Sequence, residues 1–134
     1  MNPFKVGELY KRTDLHEKYD GQRQGGISTP SKYPFIFLFT GGKGERYGYK
    51  DKWRGNIFFY TGEGQKGNME FVAGNRAIRD SVTSAEEIHL FEYKRIGYVE
   101  YLGQMEYVGH RVEQGSDVDR HLRELIIFEL KRAR

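Results

Sequence analysis

The amino-acid sequence predicts one α+β domain built on a curled, barrel-like β-sheet with one or two short helices. Its 134 residues fall within the usual size of a single domain. Five or six short runs of apolar and β-prone residues follow one another, with only one or two helical stretches between them. We therefore treat residues 1–134 as one domain, with an N-terminal arm and loop at 1–33 and the barrel core at 34–130.

The sequence of the N-terminal arm predicts little regular structure. Residues 6–19 are polar with scattered apolar positions, a pattern that permits a short helix or a turn-rich entry. Residues 20–26 contain three glycines and no apolar anchor, which is typical of a long mobile loop. Because such loops often carry function, this one is a candidate binding element.

Strands account for most of the remaining chain. A continuous apolar run at 35–39 indicates a strand covered on both faces, whereas apolar and polar residues alternate in 99–108, as in a half-buried strand. Apolar, β-prone runs predict further strands at 57–61, 88–93 and 125–130. Most of these strands are adjacent in sequence, which favours an α+β domain with a curled, barrel-like sheet.

One helix and one long loop interrupt the strands. Asn68 is a plausible N-cap for a helix at 69–81, where apolar residues share one face. Gly74 inside that segment weakens the helix by about 1 kcal/mol relative to alanine. Residues 113–120 are polar and predict a loop before the last strand.

The composition excludes several classes of protein. The sequence contains no cysteine, so it has no disulfide framework, thiolate zinc site or cysteine nucleophile. With no apolar leader at its start, we expect the chain to act in the cytoplasm. No run approaches the roughly 20 apolar residues that a membrane span requires, so we expect no membrane partner.

Charge is distributed unevenly along the chain. The formal net charge is +3, with 14 basic against 9 acidic residues in 1–80 and 8 against 10 in 81–134. The first part is therefore net +5 and the second net −2, so the first part is expected to face any polyanion.

Catalytic, metal and nucleotide sites are not predicted. None of the four histidines has metal-ligand spacing to an acidic residue, and no serine lies in a Gly-x-Ser-x-Gly motif. Residues 62–67 match Gly-x-Gly-x-x-Gly, but strands rather than βαβ units follow, and Glu63 would repel a pyrophosphate. We expect no catalytic residue, no metal and no cofactor.

The most informative cluster is Tyr47 to Trp53, which combines aromatic rings, one carboxylate and several cations just before a predicted strand. Rings can stack on bases while cations contact phosphates, so this pattern favours nucleic-acid binding. The alternative is structural: these tyrosines cover the edge of the sheet, and Asp51 pairs with a neighbouring lysine.

Three motifs resemble the SRA (SET and RING associated) domains, which recognise modified cytosine in duplex DNA. They are the acidic, Tyr-containing segment 44–51, the Gly-Asn-x-Phe-x-Tyr-Thr-Gly segment 55–62 and the Gly-Asn-Arg-Ala segment 74–77. The resemblance runs over 35–130 and implies a PUA-like, SRA-like curled barrel. A leading segment at 22–28 is similar to SRA-like modules attached to HNH nuclease domains in bacterial modification-dependent restriction enzymes.

The resemblance implies a pocket for a flipped base. Tyr60 matches the tyrosine that stacks on the base, and Asp51 matches the carboxylate that accepts from the cytosine N4 amino group. Thr61 and Gly62 match the edge that faces the rest of the pyrimidine. The second stacking ring would be either Tyr47 or Tyr49.

Contacts with the duplex are implied as well. The family fills the hole left by the flipped base from loops beside the pocket, and Gln22 and Arg23 are the candidates here. The alternative is that their loop is a flexible linker. Six cations are candidate phosphate ligands: Lys50, Lys52, Arg54, Lys66, Arg76 and Arg79.

We expect a protein that binds duplex DNA at 5-methylcytosine or 5-hydroxymethylcytosine and is not itself an enzyme. It would be the reader module of a modification-dependent restriction system in the bacterial cytoplasm, associated with the nucleoid. Any nuclease activity would belong to a fused or associated HNH domain, whose motif this chain lacks. Two alternatives stay open: a PUA-like RNA-binding module, and a protein-interaction domain without a nucleic-acid site.

Overall fold

The computed structural model describes residues 2–41 and 50–133, which form eight strands and two helices. The elements in chain order are β1 Leu9–Lys11, α1 Arg12–Tyr19, β2 Ile27–Ser28, β3 Phe35–Thr40, β4 Lys52–Arg54, β5 Ile57–Thr61, α2 Ala73–Ser84, β6 Glu87–Arg95, β7 Tyr98–Ser116 and β8 Leu122–Arg132. Neither described helix has the length and apolar character needed to cross a membrane.

The strands form one curled sheet in the order β2-β3-β6-β7-β8-β5-β4. β3 and β6 run parallel, and the other neighbouring strands run antiparallel. The long β7 pairs with β6 along one edge and with β1 and then β8 along the other. Irregular pairing at Leu90/Phe91 and Tyr107/Gly109 accompanies this curl, since bulges increase strand twist. The predicted α+β fold with a curled sheet is confirmed, although the path of described strands does not close.

β3 supplies side chains to two separate cores. Ile36 and Leu38 join the cluster that includes Ile78 of α2, whereas Phe35 and Phe37 join a cluster of aromatic residues on the opposite face. Because consecutive residues of a strand point to opposite faces, a strand covered on both sides must be apolar throughout. All six residues of β3 are buried, as the continuous apolar run predicts.

The predicted N-terminal arm contributes to the second core. Phe4, Leu15 and Tyr19 are buried there against the phenylalanines of β3. Leu15 and Tyr19 lie on α1, whose four-residue spacing places them on one face of the helix. The arm therefore contains β1, α1 and β2 and packs on the sheet.

Two sequence expectations are wrong in their boundaries. The second helix is Ala73–Ser84 rather than 69–81, because the Asn68 side chain accepts a hydrogen bond from the backbone of Glu124 instead of capping a helix. The expected loop 113–120 is also too long. β7 continues to Ser116, pairing with the start of β8, and the chain turns only after that residue.

Candidate functional site

A carboxylate joins two strands that are not neighbours in the sheet. Thr40 ends β3 and Thr61 ends β5, and Asp51 precedes the short edge strand β4. The Thr40 Oγ1 hydroxyl donates to Asp51 Oδ2 at 2.6 Å, and the Thr61 backbone N–H donates to Asp51 Oδ1 at 2.7 Å. These two donors fix the orientation of the carboxylate at the open side of the curled sheet.

Tyr60, the residue before Thr61 on β5, also links β5 to β3 through its side chain. Its hydroxyl lies 2.7 Å from the carbonyl oxygen of Gly26 and 3.1 Å from that of Phe39. Burial raises the pKa of the Tyr60 hydroxyl well above 10, and the charges of Asp51 and Glu63 raise it further. The hydroxyl therefore stays protonated and acts as a hydrogen-bond donor. A Cβ at Gly26 would lie 2.7 Å from this hydroxyl, so the position requires glycine.

An open cleft of about 1210 Å³ lies above these residues. Thr40, Asp51, Tyr60 and Thr61 line it, and we call these four residues the floor. Gly62 also lines the cleft, so four of the six predicted pocket residues meet at one place: Asp51, Tyr60, Thr61 and Gly62. The other two, Tyr47 and Tyr49, lie outside the described residues.

The backbone after the floor is clamped by a buried amide. Asn75 Oδ1 accepts from the Glu63 N–H at 2.8 Å, and Asn75 Nδ2 donates to the carbonyls of Glu63 and Glu70. A Cβ at Gly62 would lie 2.8 Å from Asn75 Oδ1, so the close approach needs glycine here. Burial raises the pKa of Glu63, although the Gly74 N–H donates to its carboxylate and opposes that shift.

A buried arginine holds the glycine-rich loop beside the cleft. The Arg12 guanidinium donates to the carbonyls of Gln22 and Gly25 at 3.1 and 2.9 Å, and also to the Tyr93 hydroxyl. The same group lies 3.8 Å from the centre of the Phe39 ring. Arg12 is only 6% exposed, and the described groups that accept its hydrogen bonds are neutral, so their dipoles stabilise the buried charge.

His16 completes this arrangement in its neutral form. Arg12 Nε donates to His16 Nε2 at 3.0 Å, so that ring nitrogen must be unprotonated. His16 Nδ1 lies 3.0 Å from the Asp20 carbonyl oxygen and must then carry the proton. Burial lowers the pKa of His16, opposed by the Asp20 hydrogen bond and supported by the charges of Arg12 and Arg23.

The two predicted DNA-inserting residues differ in their surroundings. The Gln22 side chain closes the loop on itself, because its Oε1 accepts from the Thr29 N–H at 2.6 Å and its Nε2 donates to Thr29 Oγ1. Arg23 is exposed and lines the cleft. Insertion by Gln22 would require these hydrogen bonds to open, and both roles stay predictions.

The six predicted phosphate ligands are exposed but widely spread. Among them, Lys66 alone lines the cleft, and it pairs with Asp119 at 3.6 Å. Arg79 pairs with Asp80 at 2.9 Å and lies over the Phe71 ring. The other four are exposed on the described surface: Lys50, Lys52, Arg54 and Arg76.

Arg12, Thr40 and Asn75 shape the site, and sequence reasoning did not assign them roles. Asn75 could have been found, because it lies in the Gly-Asn-Arg-Ala motif. Thr40 follows an apolar strand, and Arg12 is far from the pocket in sequence, so neither position carried a signal.

One acidic cluster has the composition of a metal site. Ligand atoms of Asp117, Asp119 and His121 lie within 4.8 Å of one another. However, Asp117 accepts backbone N–H groups from Gly67, Asp119 and His121, which explains the cluster as a closed turn. We assign it no metal.

Comparison with known proteins places this geometry in context. A family model described as ScoMcrA-like, SRA domain, matches residues 6–133. The solved sulfur binding domain and SRA domain of ScoMcrA, complexed with phosphorothioated DNA, is 21% identical with a TM-score of 0.77, over 98% of this chain and 40% of that one. No curated protein sequence matches the chain.

Other solved structures share the fold. The type IV phosphorothioation-dependent restriction endonuclease ScoMcrA is 21% identical, with a TM-score of 0.77 over 98% of this chain and 25% of that one. The SUVH5 SRA domain in complex with hemimethylated CG DNA is 19% identical, with a TM-score of 0.70 over 99% and 91% of the two chains. The chain thus spans less than half of either ScoMcrA chain and nearly all of the SUVH5 domain.

Proposed function

Because the chain belongs to the ScoMcrA-like SRA domain family, we propose that it binds duplex DNA containing a modified cytosine and holds that base, flipped out of the helix, in the cleft. Solved relatives with this fold are complexes with phosphorothioated, methylated and hydroxymethylated DNA, which supports a modified duplex as the ligand. The floor would contact the base, and the surrounding cations would contact phosphates.

The observation that carries the proposal is the orientation of Asp51 by Thr40 and Thr61. A carboxylate can accept from the N4 amino group of cytosine but is repelled by the O4 acceptor of thymine. Discrimination requires a fixed acceptor, because a mobile side chain could turn away from the wrong base. Two hydrogen bonds within a cleft of sufficient size supply that fixed acceptor.

Tyr60 has a more restricted role than an exposed stacking ring. It is 2% exposed, and its hydroxyl is bound to backbone carbonyls. We propose that one face of the ring contacts the base when the cleft is occupied. A contact of this restricted area would contribute less than the roughly 1–3 kcal/mol of a fully stacked ring, against the few kcal/mol that base extraction costs.

The modification is proposed to be 5-methylcytosine or 5-hydroxymethylcytosine. A buried methyl group contributes about 0.8 kcal/mol, which corresponds to about a fourfold preference over cytosine. Larger preferences would require close packing around the 5-position. Phosphorothioated DNA is the alternative ligand, because a relative with this fold was solved with it alongside a separate sulfur binding domain.

The cellular role extends the same proposal. We propose that the chain is the non-catalytic reader of a modification-dependent restriction system in the bacterial cytoplasm, close to the nucleoid. One solved relative is a restriction endonuclease of which this chain spans a quarter, so cleavage would belong to another domain, such as a fused or associated HNH nuclease.

The decisive test compares 5-methylcytosine with thymine opposite guanine at one position of one duplex. The two bases share the 5-methyl group and differ in the 4-amino group or O4 and in the proton on N3. Because the mismatched thymine is easier to extract, a preference for 5-methylcytosine must come from reading of the base. We expect wild type to favour 5-methylcytosine and Asp51→Asn to lose that preference, because an amide can donate to O4. Fluorescence anisotropy at one fixed salt concentration measures both affinities.

Asp14→Asn is the matched control, because it removes the same charge from an exposed position on α1. It should retain the wild-type preference. An affinity ratio between the two duplexes that Asp51→Asn leaves the same as in wild type would overturn the flipped-base proposal, because the easier extraction of mismatched thymine is common to both proteins. Tighter binding of RNA would favour the PUA-like RNA-binding module. Tighter binding of a phosphorothioated duplex would favour the phosphorothioate alternative, and the absence of any oligonucleotide binding would favour a protein-interaction domain.

A further inference from the structure

An unusual turn joins β6 to β7. Arg95 pairs with Tyr98, so Ile96 and Gly97 form a two-residue hairpin turn. Gly97 has a φ of +80°, which meets the conformational demand of the turn, and Ile96 is 98% exposed. Hairpin turns favour Gly, Asn and Asp, so turn formation gives no reason for isoleucine here.

The turn lies at the edge of the cleft described above. Ile96 and Gly97 line the same cleft as Asp51 and Tyr60. Of the other strongly exposed apolar residues, Val72 at the start of α2 also lines it, whereas Val82 and Leu122 do not. Single exposed apolar side chains are common on protein surfaces, so the location of Ile96 is the informative feature rather than its exposure.

Arg12 connects this turn to the glycine-rich loop. Its backbone N–H donates to the Gly97 carbonyl at 2.9 Å, while its guanidinium donates to the Tyr93 hydroxyl on β6 and to the Gly25 carbonyl. The hairpin tip and the loop carrying Arg23 are therefore held to one buried residue. Both stand beside the cleft in a fixed relation to its floor.

Charge at this edge suits a polyanion. Arg95 lies over the Tyr98 ring at 4.2 Å, and neither Arg95 nor Arg23 forms an ion pair with a described carboxylate. Lys94 differs, because it pairs with Glu92 and Glu100. We call Arg23, Arg95 and Ile96 the rim: two cations without described ion pairs and one exposed apolar side chain.

We propose that the hairpin tip is a second duplex-contacting element, in which Ile96 enters the base stack as an apolar wedge while Arg95 contacts a phosphate. This inference rests on the proposed flipping of a base into the cleft. Apolar side chains inserted between base steps stabilise unstacked DNA, and a flipped base leaves such a space open. Backbone N–H and guanidinium groups of Arg12 hold the tip in place for this contact.

The test is Ile96→Ser, with Ile96→Leu as the conservative variant and Val82→Ser as the matched control for loss of an exposed apolar side chain. Affinities are measured for a 5-methylcytosine duplex and for the unmodified duplex. We expect Ile96→Ser to bind the modified duplex about fourfold more weakly and the unmodified duplex unchanged, which abolishes the preference, because the wedge acts only when a base is extracted. Ile96→Leu and Val82→Ser should bind like wild type.

A second measurement reports the insertion itself. With 2-aminopurine beside the target base, wild type should increase its fluorescence, and Ile96→Ser should reduce that increase. Modified-duplex binding within twofold of wild type, or an equal loss on both duplexes, would overturn the wedge while leaving the pocket intact. If wild type shows no preference for the modified duplex, the proposed function fails first and the wedge fails with it.

Discussion

The floor of the cleft is held by hydrogen bonds between strands, whereas the rim is exposed and makes few contacts. Asp51 and Tyr60 each join β3 to β5, and Thr40 is 5% exposed. Ile96 at the rim is 98% exposed. A rigid floor suits discrimination between bases, because it cannot adjust to the wrong one. An exposed rim suits contacts that form only when DNA arrives.

This difference separates two kinds of substitution. Changes in the floor should affect folding and base discrimination together, because the same hydrogen bonds serve both. Changes in the rim should affect DNA binding while leaving the free energy of unfolding almost unchanged.

Tyr60→Ala should lower the free energy of unfolding by about 3–5 kcal/mol, since it removes a buried ring and leaves a cavity. Tyr60→Phe keeps the ring and loses only the hydroxyl, so its cost should be about 1 kcal/mol. Urea unfolding at neutral pH measures both. A Tyr60→Ala protein within 1 kcal/mol of wild type would mean that the ring is not part of the core. Phenylalanine is therefore the cleaner variant for DNA-binding tests.

Thr40→Val should cost about 1.5–3 kcal/mol, because it removes a hydrogen bond to a charged carboxylate while keeping a similar shape. The preference for 5-methylcytosine over thymine should also narrow, since Asp51 loses one of the donors described above. Thr40→Ser retains the hydroxyl and should restore the preference. A Thr40→Val protein with the wild-type preference would show that the Thr40 hydroxyl is not needed to orient the carboxylate.

The free energy of unfolding should decrease in mild acid, because His16 accepts a hydrogen bond from Arg12 only in its neutral form. Burial lowers the pKa of His16 in the folded protein, whereas the unfolded chain takes up the proton near the ordinary value of about 6.5. The unfolded state therefore binds more protons as pH falls, and stability decreases from pH 7.5 to pH 5.5. For one histidine that stays neutral when folded, the loss is at most about 1.4 kcal/mol over this range.

The variant His16→Gln isolates this contribution. Glutamine retains an acceptor for Arg12 Nε but does not titrate, so its stability should depend less on pH than that of wild type. His89 is buried beside Glu87, and its pKa is lowered by burial as well, so both proteins share its acid sensitivity. Denaturation at the two pH values measures the difference. Identical pH dependence in wild type and His16→Gln would exclude His16 as the sensitive group.

Local patterns predicted the strands well. The apolar run of β3 and the alternation in β7 identify strands because burial of their faces dictates residue type. Asp51 and Tyr60 were predicted from motifs close in sequence, and the structure brings them together in one cleft. Their contacts with a base remain a prediction.

Long-range partners could not be predicted from the sequence. The Arg12 guanidinium donates hydrogen bonds to the carbonyls of Gln22 and Gly25 and to the Tyr93 hydroxyl. No local sequence pattern indicates those partners. Asn68 failed as a helix cap for the same reason, because the backbone of β8 uses its side chain. The parallel pairing of β3 with β6 also depends on a crossover that the succession of strands did not reveal.

The smallest effect on folding is expected for the rim cations, where it should be within about 0.5 kcal/mol. Arg95→Gln should weaken DNA binding and reduce the slope of log affinity against log salt concentration by about 0.9 if Arg95 neutralises one phosphate. Lys94→Gln is the matched control, because Lys94 is paired with two glutamates and should change the slope less. Titrations at three salt concentrations, on modified and unmodified duplexes, measure the slopes.

Because phosphate contacts are independent of base identity, both duplexes should lose affinity equally, in contrast to the Asp51 and Ile96 variants. A loss confined to the modified duplex would place Arg95 with the base-reading floor and remove the distinction between floor and rim.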